Sequence, residues 1–307
     1  MKEKFKTTIG GQALIEGVMM RGPETSSMSV RLPGGEIETE TWPTKPRQWY
    51  NKIPVLRGMF NFIASILEGY RTLMKSAQKL GLDDEEELSP FEKKLMEKLG
   101  KNFMNVLVGL ASVFAILLAV VLFVFIPTFT SKFLGDKFNL GLWRNIIEGG
   151  IRMAIFIGYM WAISKMDEIR RVYQYHGAEH KSIACYESGM ELTPENAAAC
   201  SRFHPRCGTS FLFITLIISI VVFSFVTWDT LWLRFALKLA TLPIVIGLSY
   251  EMIQLAGKHY NIVTRILSAP GLWVQRLSTA EPDEKQLEVA IAALKAAQPR
   301  EEGADRF

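Results

Sequence analysis

Val106–Ile126 contains no charged residue, and as a helix it spans about 30 Å, the thickness of a bilayer's hydrocarbon core. That run decides the fold class. A segment crossing lipid must satisfy its own backbone hydrogen bonds, so the chain reads as a mainly α membrane protein. Thr209–Val226 is a second uncharged run. Leu233–Leu255 is longer and interrupted, and Ile146–Ser164 is weaker because it carries Glu148 and Arg152. Those two residues are i and i+4, so they can pair on one helix face. Composition agrees: 49% hydrophobic and 21% charged residues coexist in 307 positions by segregation along the chain.

Basic residues set the expected orientation, because loops rich in Lys and Arg stay in the cytoplasm. Lys93, Lys94, Lys98 and Lys101 precede the first span. Lys165, Arg170, Arg171, Lys181, Arg202 and Arg206 lie between the second and third. The other two loops are poorer, with Lys132, Lys137 and Arg144 in one and no basic residue in Thr227–Trp232. Trp143, Trp228 and Trp232 would form an aromatic belt on that side. About four transmembrane helices, with both termini cytoplasmic, satisfy this pattern. The first twenty residues lack an apolar core and a cleavage site, so no signal peptide is expected.

The loop between the second and third spans carries the chemistry. His176-Gly-Ala-Glu-His180 reads H-x-x-E-H in a chain with four histidines. On a helix, His176 and His180 project from one face and can hold one metal ion. Glu179 sits beside His180, too strained to ligate together with both, and suits a general base. Downstream, Arg202-Phe-His-Pro-Arg-Cys207 adds His204 and Cys207 as nitrogen and sulfur donors. Glu251, near the end of the last span, is an alternative third ligand, since inverted zincin peptidases place a glutamate at a comparable separation. Such a set suits Zn2+ or another divalent metal. Four protein ligands would make a closed structural site, whereas three would leave a position for chemistry. The competing reading is that the two histidines only pack a juxtamembrane helix.

The remaining segments are plainer. Residues 1–52 read as a small β unit. Met28, Val30 and Leu32 alternate before Pro33-Gly-Gly35, a hairpin signal, and Gly10–Pro23 reads as one strand punctuated by glycines. A sharper reading brings Glu16 and Arg21 to the metal cavity. Residues 53–102 combine an amphipathic or re-entrant helix (Val55–Leu80), an acidic linker (Asp83–Pro90) and a short amphipathic helix (Phe91–Gly100). Residues 103–257 form the four-helix membrane domain containing the 166–208 metal-site loop. Residues 258–307 form a cytoplasmic segment, with an interfacial stretch (Ile262–Arg276) and a final helix from Pro282-Asp283 to about Ala297 that buries Leu287, Ile291 and Leu294. The tail Gln298–Phe307 is expected to be unstructured. Cys185 and Cys200 read as buried small side chains, and His259 as an exposed helix-end residue.

Taken together, GGQALIEGVMMRGP (Gly10–Pro23), YHGAEHK (Tyr175–Lys181), SRFHPRCGTSF (Ser201–Phe211) and EPDEKQLEVAIAAL (Glu281–Leu294) resemble the YqhQ-like family of bacterial multi-pass membrane proteins. That family is described as predicted metal-dependent enzymes of unknown substrate. The resemblance covers nearly the whole chain and implies an inner-membrane location, but it supplies no reaction. A basic residue often stands in the family where this chain has Ala280, so no catalytic role is carried over to that position.

The leading expectation is a zinc-dependent membrane hydrolase or peptidase. His176 and His180 bind the ion with His204 or Glu251, Cys207 is a fourth candidate, Glu179 is the base, and Arg202 or Arg206 stabilises an oxyanion. The alternative is a scaffold or assembly protein with a structural zinc site. A transporter ranks third, because no internal repeat is visible and the first and third spans are nearly free of polar residues. The expected partners are the lipid bilayer and a membrane peptide or lipid as substrate, with room for a homo-oligomer. A net charge of +4 and the lack of a basic-aromatic motif argue against nucleic acid.

Overall fold

Alternation around Met28 and Val30 produces the third strand of a four-stranded antiparallel sheet, β1 (Gly10–Leu14), β2 (Gly17–Arg21), β3 (Thr25–Arg31) and β4 (Ile37–Pro43), in sequential order. The structure is a computed structural model that describes residues 5–46, 48–81, 103–138, 143–226, 230–258, 262–301 and 303–306. Asp83–Pro90, Phe91–Gly100 and His259 lie outside these. The glycine-punctuated segment is two strands rather than one: Leu14 pairs with Gly17, and the chain reverses at Ile15 and Glu16, the latter at φ 50°. The expected β3–β4 hairpin is present, with Gly35 at φ 92° in its turn, a conformation that glycine adopts without steric cost.

The described helices are α1 (Leu56–Lys79), α2 (Phe103–Val120), α3 (Ile126–Phe138), α4 (Trp143–Ile163), α5 (Asp167–Glu187), α6 (Pro194–Ala198), α7 (Gly208–Ser224), α8 (Leu231–Lys258), α9 (Ile262–Ser278) and α10 (Glu284–Ala297). One π-helical turn, Val121–Phe125, joins α2 to α3. Two compact units result. The first comprises Met1–Leu80, Tyr159–Ile218 and Pro243–Phe307; the second comprises Gly81–Gly158 and Ser219–Leu242.

In the first unit the sheet is the middle of three layers. Val18 and Met20 face a core with Tyr175, Ala178 and Ile183 of α5 and Leu287, Ile291 and Leu294 of α10. Leu14, Met19, Met28 and Val30 face the other way, onto Leu73 of α1 and Leu80. Asp283 caps α10 by accepting from Gln286 N (2.8 Å), while Gln286 Oε1 accepts from Asp283 N (2.9 Å), a reciprocal capping box. Small residues let the layers touch closely. The Ser27 hydroxyl donates to the Ala293 carbonyl at 2.6 Å, and a Cβ on Gly22 would fall 2.0 Å from the Ala297 carbonyl oxygen. The C-terminal tail is ordered into this unit rather than loose: Thr7 bridges Arg306, and Asp305 is buried.

Among the described residues, three helical stretches are long and apolar enough to cross a membrane: Gly109–Gly135, Trp143–Ile163 and Leu231–Leu255. The Thr209–Val226 run gives a shorter apolar helix, α7, of 17 residues, so it falls short of the length expected from its uncharged sequence. In the second unit the expected i,i+4 pair is present, with Arg152 Nη2 3.1 Å from Glu148 Oε1. It is the centre of a larger network. Glu148 also accepts from Thr128 (3.0 Å), Ser131 (3.1 Å), Arg234 (3.4 Å) and Lys238, and Arg152 donates to the Phe123 carbonyl and to Ser219. All four charged side chains are at most 4% exposed. Charges this deep persist only when each is paired and hydrogen-bonded.

Three outcomes follow for thermal unfolding of the purified protein in detergent. Glu148→Ala strands Arg152 and Lys238 and should cost about 3–5 kcal/mol. Gly177→Ala should destabilise by about 1–3 kcal/mol, because its Cβ would meet the Ala280 carbonyl at 2.1 Å. Gly34→Ala, which points into open space, should be nearly neutral.

Candidate metal centre

Helix α5 carries His176, Glu179 and His180 toward the end of β1. The two imidazoles lie one turn apart with ring centroids 4.4 Å from each other, as the i,i+4 spacing predicts. Cys207 reaches them from the residue preceding α7: His176 Nε2 is 3.1 Å from its Sγ. The ligand atoms of His176, His180 and Cys207 all lie within 4.8 Å of one another, and all three side chains are buried or half-buried. Two nitrogens and a sulfur at this spacing form a set that could hold a zinc-like ion.

The supporting contacts fix which ring nitrogen each histidine offers. His176 Nδ1–H donates to the Ser278 carbonyl at 2.8 Å, and His180 Nδ1–H donates to the Arg202 carbonyl at 2.6 Å. Both Nε2 atoms are thereby turned to the shared space, the arrangement in which a backbone acceptor orients a ligating imidazole. Thr209 supports the sulfur through its N–H (3.4 Å) and hydroxyl (3.0 Å). Burial alone would raise the Cys207 thiol, but the nearby His176 and His180 outweigh it and hold the group well below its ordinary value. Burial would likewise lower His176, yet the Cys207 sulfur and the Glu179 carboxyl lift it to about 10.

Glu179 is buried against β1. A Cβ on Gly11 would sit 2.9 Å from its carboxyl carbon, so only glycine admits the side chain there. Burial raises its carboxyl above the ordinary range; the two histidines oppose the shift, and the Gly11 N–H donates to the carboxylate. Its Oε2 is a buried oxygen with no hydrogen-bond partner. An orphaned carboxylate oxygen beside three converging donors is costly to maintain and marks a place where a further group belongs.

The other sequence candidates make different contacts. His204 is near, its ring 5.5 Å from that of His180, but its Nε2 faces Arg206 at 3.2 Å and Glu187 at 4.0 Å. Glu251 is paired with Arg57 and accepts from Val55 N. The expected oxyanion arginines are committed as well. Arg202 lies 3.6 Å from Glu281, and Arg206 donates to Glu187 and to the Thr7 carbonyl. Glu16 accepts from Arg171 and from the Tyr175 hydroxyl, and Arg21 faces Glu68, so neither enters the cavity.

Three contributors were invisible in the sequence. Gln275 of α9 grips the His204 backbone with both ends of its amide (2.8 and 2.6 Å) and donates to Ser210, fixing the turn that presents Cys207. Ser278 and Arg202 act through backbone carbonyls, which no side-chain pattern reveals. Gly11 had a signal, the Gly10-Gly11 pair at a strand start, but its partner is 168 positions away. Ala280 holds a backbone role, donating its N–H to the Tyr173 carbonyl.

No solved structure matches this chain. A curated relative, "Uncharacterized protein YqhQ" of Bacillus subtilis (strain 168), is 37% identical over 295 residues, covering 94% of this chain and 92% of the relative. The profile described as "Protein of unknown function (DUF1385)" matches residues 53–300, four-fifths of the sequence. With the match running through α5, Cys207 and α9, the chain belongs to the DUF1385 family.

Proposed function

We propose that this protein is a zinc-dependent hydrolase of the bacterial inner membrane, acting at the cytoplasmic membrane face on a membrane-borne peptide or lipid. The observation that carries the reading is the convergence of His176, His180 and Cys207, with the Glu179 carboxyl within electrostatic reach of all three and unpartnered at Oε2. His176 and His180 would hold the ion through Nε2, and Cys207 through Sγ. A zinc ion in such a set supplies Lewis acidity, polarising a carbonyl and acidifying water. Glu179 then takes the proton at Oε2, the atom no protein donor occupies, and returns it to a leaving group. Gly11 N–H keeps the carboxylate in place.

Three converging donors among the described residues favour an open site over the closed four-ligand site that a scaffold would use. The topology favours an even number of crossings. The sheet, α5 and α10 pack on one another, so they share one side of the bilayer. The stretches Gly109–Gly135 and Trp143–Ile163 separate the sheet from α5 by two passes. Returning from α5 to α10 requires α7 to cross together with Leu231–Leu255, despite its shorter length. The positive loop residues then assign the shared side to the cytoplasm.

Purified wild type should carry about one zinc per chain, and His176→Ala, His180→Ala and Cys207→Ser should each lose it. His204→Ala and Glu251→Gln should keep it. Elemental analysis decides, and a wild type that neither carries nor takes up zinc ends the proposal. Glu179→Gln should retain zinc but lose at least about 100-fold in hydrolysis across a panel of ester and peptide probes. At neutral pH the His176–Cys207 pair holds one proton, which the metal must displace. Zinc uptake in weakly buffered solution should therefore release a proton, and affinity should rise with pH up to the raised His176 value of about 10.

A further inference from the structure

Helix α1 is inside out for a helix that covers a sheet. Its buried positions are Gly58, Gly69, Thr72 and Ser76, small or polar, while five large residues face away from the protein. Leu56, Ile63, Ile66, Leu67 and Tyr70 are all exposed, Ile66 and Leu67 at 53% each. At 100° per residue these five fall within about 100° of helix circumference, on a different side of the helix from Gly58 and Gly69. An ordinary surface helix turns such a stripe inward. Here the inward face is spent on close approach: Gly69 admits the Gln12 amide of β1, Gly58 admits Tyr250 of α8, and Gly247 of α8 admits Val55.

Three further observations say what covers the stripe. Arg57 at the first turn of α1 is salt-bridged to Glu251 of α8, and beside that contact α8 exposes Ile244, Leu248 and Leu255. The stripe on α1 thus starts at the exposed apolar surface of a membrane-length helix. The far end is fastened to the sheet, with Lys75 and Lys79 donating to Glu40 and Glu38 of β4, so the helix lies along the water-facing layer instead of entering the bilayer end-on. Crossing parity agrees, because a pass by α1 would separate the sheet from α5, which it packs against.

We propose that α1 lies in the plane of the membrane, with Leu56, Ile63, Ile66, Leu67 and Tyr70 seated among the acyl chains of phospholipid. Interfacial helices bury such a face about 5–10 Å into the headgroup boundary. The test uses the full-length protein in phosphatidylethanolamine–phosphatidylglycerol vesicles, with p-benzoylphenylalanine placed singly at Leu67, at Leu117 of α2 and at Glu284 of α10. After irradiation, mass spectrometry should find lipid adducts at positions 67 and 117 and none at 284. A crosslinked dimer at 67 would make a second copy the occupant and overturn the proposal. Lipid at 117 with none at 67 would overturn it too. The readout is independent of metal content and turnover, so it stands or falls apart from the hydrolase reading.

Discussion

Close approach of α5 to two other backbones is the constraint on which the candidate centre rests. Gly177 lets the helix lie against the Ala280 carbonyl, and Gly11 lets the Glu179 carboxyl lie against β1. With side chains at those points the helix would stand off, and three things would be lost together. His176 would leave the Ser278 carbonyl, Glu179 would leave Gly11 N–H, and the layer contact between α5 and α10 would open. Glycine costs a helix interior about 1 kcal/mol relative to alanine, so its presence in the middle of H-x-x-E-H is explained by packing and not by propensity. The motif's spacing gives two imidazoles one face; the glycine decides what that face meets.

The two units manage charge by opposite means. In the second, Glu148 collects donors until every one of its lone-pair directions is used, and Arg152 spends its remaining N–H groups on a carbonyl and a serine. That is what a carboxylate needs in order to survive among apolar helices, and it leaves the group nothing with which to do chemistry. In the first, Glu179 is just as deeply buried but keeps one oxygen without a donor. The two carboxylates thus differ in hydrogen-bond satisfaction and not in burial.

Much of the fold was legible because helices and strands carry their own period. The apolar runs, the hairpin around Gly35, the final helix with its Asp283 cap, and the pairing of His176 with His180 all follow from spacing within one element. The failures share a cause. Gly10–Pro23 became two strands because a two-residue turn can form on Ile15–Glu16 without the usual glycine, at the expense of a positive φ that the Glu16 contacts with Arg171 and Tyr175 hold in place. α7 is shorter than its uncharged run because hydropathy reports what a segment tolerates, and not where its hydrogen-bonded ladder ends.

The ligand set shows the same limit most sharply. His204 and Cys207 are separated by an H-x-x-C spacing that on a helix would put both on one face. They are not on a helix. Gln275 clamps the His204 backbone from both sides, and the chain turns before Cys207, which precedes α7, so sulfur and imidazole diverge. His204 then finds Arg206 and Glu187, and the sulfur alone continues to the α5 histidines. Glu251 was plausible for its distance along the chain, but Arg57 on α1 was an available cation close by, and a half-buried carboxylate is stabilised by a paired guanidinium. Spacing predicts coordination only within an element whose geometry the spacing already fixes; across a loop, whichever partner removes the larger desolvation penalty decides the direction of the side chain.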